Sequence, residues 1–213
     1  MPASVEFAPD LDAWDAWRPE EIARLPAGVK VPWYVAGGWA IDLFLGHQRR
    51  EHDDLEIAAP HDRFGEIAAA LPELDFFVVG DGLAWPLDRA GDAFKTQHQT
   101  WGRDPESGKW RLDVFREPSE GGEWICRRDA SIRLPYDRLI AHTADGIPYG
   151  RPEVILLFKA KAARPKDEDD FAAVLPRLDA PARQWLRVKL ARIQPEHHWI
   201  AMLNNVAAGE DRP

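Results

Sequence analysis

Hydrophobic positions along the chain change their spacing near Gly150, and that change divides the sequence into two parts. Before it, short apolar runs alternate with turn residues. VPWYVAGG (31–38) reads as a short buried strand ending in two glycines, and WAIDLFLG (39–46) as two helical turns stopped by Gly46. DLEIA (54–58) reads as a second strand, and the alanine-rich segment 61–71 as a helix. LDFFVV, DAFKTQHQTW, WRLDVFRE, EWICRR and ASIRLP are strand-like runs separated by Gly, Pro and acidic turns. Upstream of these, Leu11, Trp14, Ile22 and Leu25 lie near helical spacing, with Pro19 opening the main turn of that helix. Beyond Glu153 the spacing is helical throughout: VILLFKAKAA, EDDFAAVLPRL, ARQWLRVKLARI and HHWIAMLNNVA each fit a helix, and the terminal GEDRP is expected to be disordered. The pattern predicts an α+β protein, with a mixed-sheet domain over residues 1–150 followed by a small helical domain over 151–213.

Composition narrows the class. A chain of 213 residues with an apolar fraction of 45% and ten tryptophans can fill a sizeable core. No run approaches the length of a bilayer span, and MPASVEFAPDLDAW lacks the basic-then-apolar order of a signal peptide, so a soluble cytoplasmic protein with no membrane partner is expected. The single Cys126 cannot form an internal disulfide or a thiolate zinc site and reads as a small buried side chain. The net charge of −9 argues against an extended nucleic-acid surface and suits a small cationic substrate. Nothing in the pattern specifies an oligomeric state.

The candidate chemistry concentrates between residues 37 and 60. On a DLEIA strand, Asp54 and Glu56 share one face while Leu55 and Ile57 point into the core. Two readings fit such a face: ordinary solvated acids, or a pair whose repulsion is relieved by a shared hard cation such as Mg²⁺. Gly37 and Gly38 follow a strand and open a helix, which serves either a tight turn or the approach of a phosphate to backbone N–H groups. Arg49, Arg50 and His52 lie between the two elements, as a solvated turn or as partners for phosphate oxygens.

The combination GGWAIDLFLG, RREHDDLEI and the later RLDVF resembles the nucleotidyltransferase superfamily founded on the DNA polymerase β fold, in its aminoglycoside 2″-adenylyltransferase and lincosamide nucleotidyltransferase branch. The resemblance implies a glycine pair at Gly37 and Gly38, metal-binding acids at Asp54 and Glu56, and a third acid at Asp113 that also serves as general base. Arg50, His52 and Asp53 match the residues that lead into the acidic pair. Glu56 departs from the usual aspartate by one methylene. It implies a Mg²⁺-dependent transfer of a nucleoside monophosphate, from ATP or another nucleoside triphosphate, to a hydroxyl of a small acceptor such as an aminoglycoside-like molecule.

LLFKAKAARPKDEDDF opens the helical part. Arg164, Lys166, Asp167 and Asp170 resemble the KDxxD pattern of related transferases, including those of toxin–antitoxin systems, which implies that Lys159 and Lys166 reach nucleotide phosphates. The same residues also make a good helix start, with Pro165 at the opening and acids in the first turn. Two further readings stay open: a toxin-like transferase acting on tRNA, which the acidic charge disfavours, and a catalytically silent nucleotide-binding or interaction module. Asp42 reads as a polar helix face, His197 and His198 as capping or surface residues, and His98 and Lys95 as a solvated strand face.

Overall fold

The computed structural model of the protein describes residues 6–23, 25 and 29–210, with side chains through residue 204. Its strands are β1 (Tyr34–Val35), β2 (Glu56–Pro60), β3 (Asp75–Gly80), β4 (Leu83–Pro86), β5 (Gln99–Arg103), β6 (Trp110–Glu117), β7 (Ser119–Glu120), β8 (Glu123–Ile125), β9 (Arg133–Pro135), β10 (Ile140–His142) and β11 (Pro148–Gly150). Its helices are α1 (Pro19–Ile22), α2 (Gly37–Leu45), α3 (Phe64–Ala70), α4 (Ala93–Thr96), α5 (Tyr136–Leu139), α6 (Pro152–Lys159), α7 (Pro165–Val174), α8 (Ala180–Ile193) and α9 (Trp199–Glu210). One mixed sheet runs in the order β10-β11-β1-β2-β6-β5-β3-β4, and a small second sheet is β7-β8-β9. This is the expected α+β architecture.

The centre of the large sheet is the parallel pair β2 and β6, with β1 antiparallel on the other side of β2. Leu55, Ile57, Leu112 and Val114 are fully buried on its core face. Burial of each such side chain contributes about 1.5–3 kcal/mol, which fixes the register of the strands that carry the acids. Helix α2 begins at Gly37, immediately after β1. It stops where Gly46 turns left-handed at φ 81° and returns its N–H to the Asp42 carbonyl at 2.9 Å. From Pro152 the described residues form helices and no strands. α6 and α7 each start with proline in the first turn, and the Asp179 side chain caps α8 by accepting from Ala182 N at 2.8 Å. These helices share one apolar core with the sheet, from Val35 and Ile41 through Leu156 to Trp199.

Several sequence expectations are corrected. The opening helix is only the four residues of α1; Leu11 is 67% exposed, and Trp14 instead forms a bridge to Trp110 and packs against Trp101. DAFKTQHQTW splits into α4 and the start of β5, because Lys95, Thr96 and Gln97 return their N–H groups to Asp92 and Ala93 in helical turns. Strand β2 begins at Glu56, so Asp54 lies two residues ahead of it, in the connecting turn. In the terminal stretch expected to be disordered, Gly209 and Glu210 end α9, while residues 211–213 lie outside the described residues. Strand β4 forms a hairpin with β3, and β10 and β11 add a short edge; these segments lacked a readable alternation.

Candidate active site

The sheet register pairs two of the three expected acids. Glu56 and Asp113 are direct partners across β2 and β6, and the Asp113 N–H donates to the Leu55 carbonyl at 2.8 Å. Asp113 is only 2% exposed. Its Oδ2 accepts from Gln99 Nε2 at 2.7 Å, whereas its buried Oδ1 has no hydrogen-bond partner. Burial, and then the negative charge of Glu56, hold the Asp113 carboxyl well above the usual carboxylate range. Burial and the neighbouring Asp54 push Glu56 up to about 7, against the opposing pull of Lys159, Lys166 and Arg164. Asp54 is raised as well, chiefly by burial. Three carboxyls that disfavour their own ionisation describe a site short of positive charge.

The glycines have a more local purpose than the sequence suggested. Gly37 sits at φ 59°, and a β-carbon there would collide with the Glu56 carboxylate. A β-carbon at Gly38 would collide with Arg50 and His52. The space opened at the start of α2 is therefore filled by side chains of the acidic turn and of β2. His52 is held there: its Nε2 lies 2.6 Å from Asp42 Oδ2, and its ring packs on Trp39 with centroids 4.4 Å apart. Burial keeps the His52 pKa below the ordinary imidazole value, with Asp42 opposing. Asp42 also accepts from the Arg49 N–H at 3.2 Å, so this one acid pins both ends of the turn to α2. Asp42 is thus a buried anchor, where the sequence reading made it a polar helix face. The signal was a lone acid inside the apolar run WAIDLFL.

The helical part supplies the cations. Lys159 Nζ lies 3.2 Å from Asp167 Oδ1 and 2.9 Å from Asp170 Oδ2. Arg164 pairs with Asp167 at 2.8 Å, while Arg49 reaches Asp170 at 3.2 Å and Arg50 reaches it at 3.7 Å. Asp167 and Asp170, both buried, therefore tie α6, α7 and the turn before β2 into one network. Lys166 lowers the pKa of both Asp54 and Glu56, which places its charge toward the acids. Each site residue expected from the sequence, from Gly37 to Lys166, lies in this one region. His98 and Lys95 lie apart from the acids, along a separate cleft that includes Arg116 and Arg127, and His197 and His198 stack on each other at the α8–α9 turn.

Comparison with known proteins finds similarity in sequence and in fold. The chain matches the aminoglycoside-2''-adenylyltransferase family over residues 20–86. That segment holds Gly37, Gly38, Asp54 and Glu56, whereas Asp113, Lys159 and Lys166 lie beyond it. Two 2''-aminoglycoside nucleotidyltransferases, from Escherichia coli and Klebsiella pneumoniae, are each 34% identical over 95 residues. The match covers 37% of this chain and 52% of each relative, so the chain spans about half the length of the relatives it matches. Among solved structures, the antibiotic-resistance factor ANT(2'')-Ia in solution has a TM-score of 0.54 at 18% identity, covering 84% of this chain and 94% of its own. The same factor in complex with adenylyl-2''-tobramycin has a TM-score of 0.55 at 19% identity, covering 83% and 94%. The lincomycin-bound lincosamide antibiotic adenylyltransferase LnuA has a TM-score of 0.50 at 18% identity, covering 73% and 92%. The fold is that of these adenylyltransferase structures, and the resemblance read from the sequence holds for this branch.

Proposed function

We propose that this protein is a Mg²⁺-dependent nucleotidyltransferase that moves a nucleoside monophosphate, AMP from ATP, to a hydroxyl of a small cationic acceptor of the aminoglycoside kind. The observation that carries this reading is the pairing of Glu56 with Asp113 across β2 and β6, beside a glycine-opened helix start and within the field of Lys159, Lys166 and Arg164. Its support from relatives is the 2''-aminoglycoside nucleotidyltransferases and the adenylyl-tobramycin complex. The two-part division at residue 150 belongs to the same proposal: a cleft beside the acids is lined by Gly37 and Glu56 from one part and by Val154, Lys159 and Arg164 from the other.

Asp54, Glu56 and Asp113 would hold the metal. Their hard oxygen donors, their raised carboxyls and the unpartnered Asp113 Oδ1 fit a divalent cation. Among the described residues no three such side chains converge on one point as they stand, and the Glu56 carboxylate lies against Gly37. Mg²⁺ bound there supplies charge neutralisation for the triphosphate. The chain's own groups do the rest. Lys159 and Lys166 draw the phosphate oxygens, the α2 amides at Gly37 and Gly38 receive them, and Arg50 and His52 shape the turn around them. Asp113 would take the proton of the acceptor hydroxyl as the hydroxyl oxygen bonds to the α-phosphorus and the bond from that phosphorus to pyrophosphate breaks.

The Glu56 carboxylate standing in the glycine-opened space also favours a second reading, a nucleotide-binding module without turnover. Both readings share a first test in thermal unfolding. ATP with Mg²⁺ is expected to stabilise the protein, by roughly 2.7 kcal/mol at a hundredfold excess over Kd, and excess EDTA should remove the effect. Asp54→Asn should lose the protection while staying folded. Equal protection in EDTA would overturn the metal bridge, and unfolding of Asp54→Asn would make that carboxylate structural.

A further inference from the structure

The sheet face that carries the acids continues past them. Along β2 the residues on this face are Glu56, Ala58 and Pro60, and their partners on β6 are Asp113, Phe115 and Glu117. Tyr34 of β1 stands opposite Ala58. Phe158 of α6 lines the same cleft, whose volume of about 170 Å³ is the size of one flat ring system rather than of a whole nucleotide. Four residues of strand, about 13 Å, separate the acids from Glu117. That is the reach from a phosphate across a ribose to the far edge of a purine.

The far end of the cleft is built for a flat polar ring. Buried Glu117 accepts from Trp124 Nε1 at 3.3 Å through Oε2, and its Oε1 lies 3.3 Å from Arg127 Nε. That contact is ionic only, since the buried Arg127 Nε has no acceptor in hydrogen-bonding line. The Arg127 guanidinium lies 5.3 Å from the centroid of Phe115 and 5.4 Å from that of Phe158, so two half-buried phenyl rings already accommodate a planar group. Ala58 keeps the floor between them low. Of the cations that line the cleft, Arg127 stands at this end beside Glu117, while Lys159 and Arg164 face Glu56 at the other.

We infer that this end of the cleft receives the adenine base, with Glu117 accepting from its exocyclic amine and Arg127 donating to the adjacent ring nitrogen, so that these two residues set base preference. The inference rests on the nucleotidyl-transfer reading and adds the group that chooses the nucleotide. It is tested by titrating the intact protein, with Mg²⁺, with ATP and with purine riboside triphosphate, which lacks only the amine. The parent should bind ATP about tenfold or more tightly than the analogue, the scale of a hydrogen bond to a charged group. Glu117→Gln keeps the shape and the contact to Trp124; it should shrink that preference at least about threefold, through lost ATP affinity, with the analogue bound within about twofold of the parent. Equal binding of both nucleotides by the parent overturns the inference and leaves nucleotidyl transfer standing. Equal weakening of both by Glu117→Gln overturns it too, since Glu117 would then be a structural partner of Arg127. Absence of any triphosphate binding by the parent overturns the inference together with the reading on which it rests.

Discussion

Asp113→Asn is expected to lower turnover by about 10²-fold or more while Mg²⁺-dependent nucleotide binding stays largely intact, the scale of lost general-base assistance. The two effects separate because Asp54 and Glu56 remain to hold the metal, whereas Asp113, buried at 2% exposure and held by Gln99, is the acid assigned to the proton. Asparagine keeps an oxygen that can accept from Gln99 Nε2 and removes the group that takes a proton. The unliganded variant should be at least as stable as the parent. Burial and Glu56 raise the Asp113 carboxyl in the folded state, so the carboxylate is a cost of folding at neutral pH that the amide does not carry. Steady-state kinetics at saturating nucleotide checks the first part and thermal unfolding the second. Turnover within a few-fold of the parent would rule out Asp113 as the base.

Asp170→Ala is expected to give the largest loss of stability, about 3 kcal/mol or more. Asp170 is nearly inaccessible and holds Lys159 at 2.9 Å and Arg49 at 3.2 Å, with Arg50 close by. Removing it leaves partly buried cations without their shared anion, which costs far more than loss of an exposed pair. The exposed Arg63–Glu66 pair is the control, and Glu66→Ala should leave stability unchanged. Denaturant unfolding of both variants decides the matter, and a loss below about 1 kcal/mol for Asp170→Ala would show that the network is solvated.

The sequence made Glu56 and Asp113 legible because a local rule governs both, whereas Asp54 falls in the turn ahead of β2. Period-two alternation placed Leu55 and Ile57 in the core and Glu56 opposite them, and the same rule in WRLDVFRE set Asp113 apart from Leu112 and Val114. Glycines bounding WAIDLFL gave α2 at both ends. Features decided by distant packing were hidden. DAFKTQHQTW alternates like a strand, yet its first half turns back on Asp92 and Ala93 as a helix. Leu11 and Trp14 share a helical spacing, but Trp14 is drawn to Trp110 and Trp101. Asp167 and Asp170 looked like first-turn acids and proved to be the anions that gather Lys159, Arg164 and Arg49. Glu117 and Arg127 gave no signal at all, because they pair between the end of β6 and the residues that follow β8 of the small sheet.

The central claim, nucleotidyl transfer by the site that Asp54, Glu56 and Asp113 form, is tested most directly by the mass of the acceptor. Protein, ATP and Mg²⁺ are incubated with a panel of aminoglycosides and, separately, with tRNA, and each acceptor is then weighed by mass spectrometry. The account predicts an aminoglycoside heavier by one adenylyl group, formed with release of pyrophosphate and absent in Asp54→Asn. Nucleotide binding with no adenylylated acceptor, or adenylylation of tRNA alone, would contradict it.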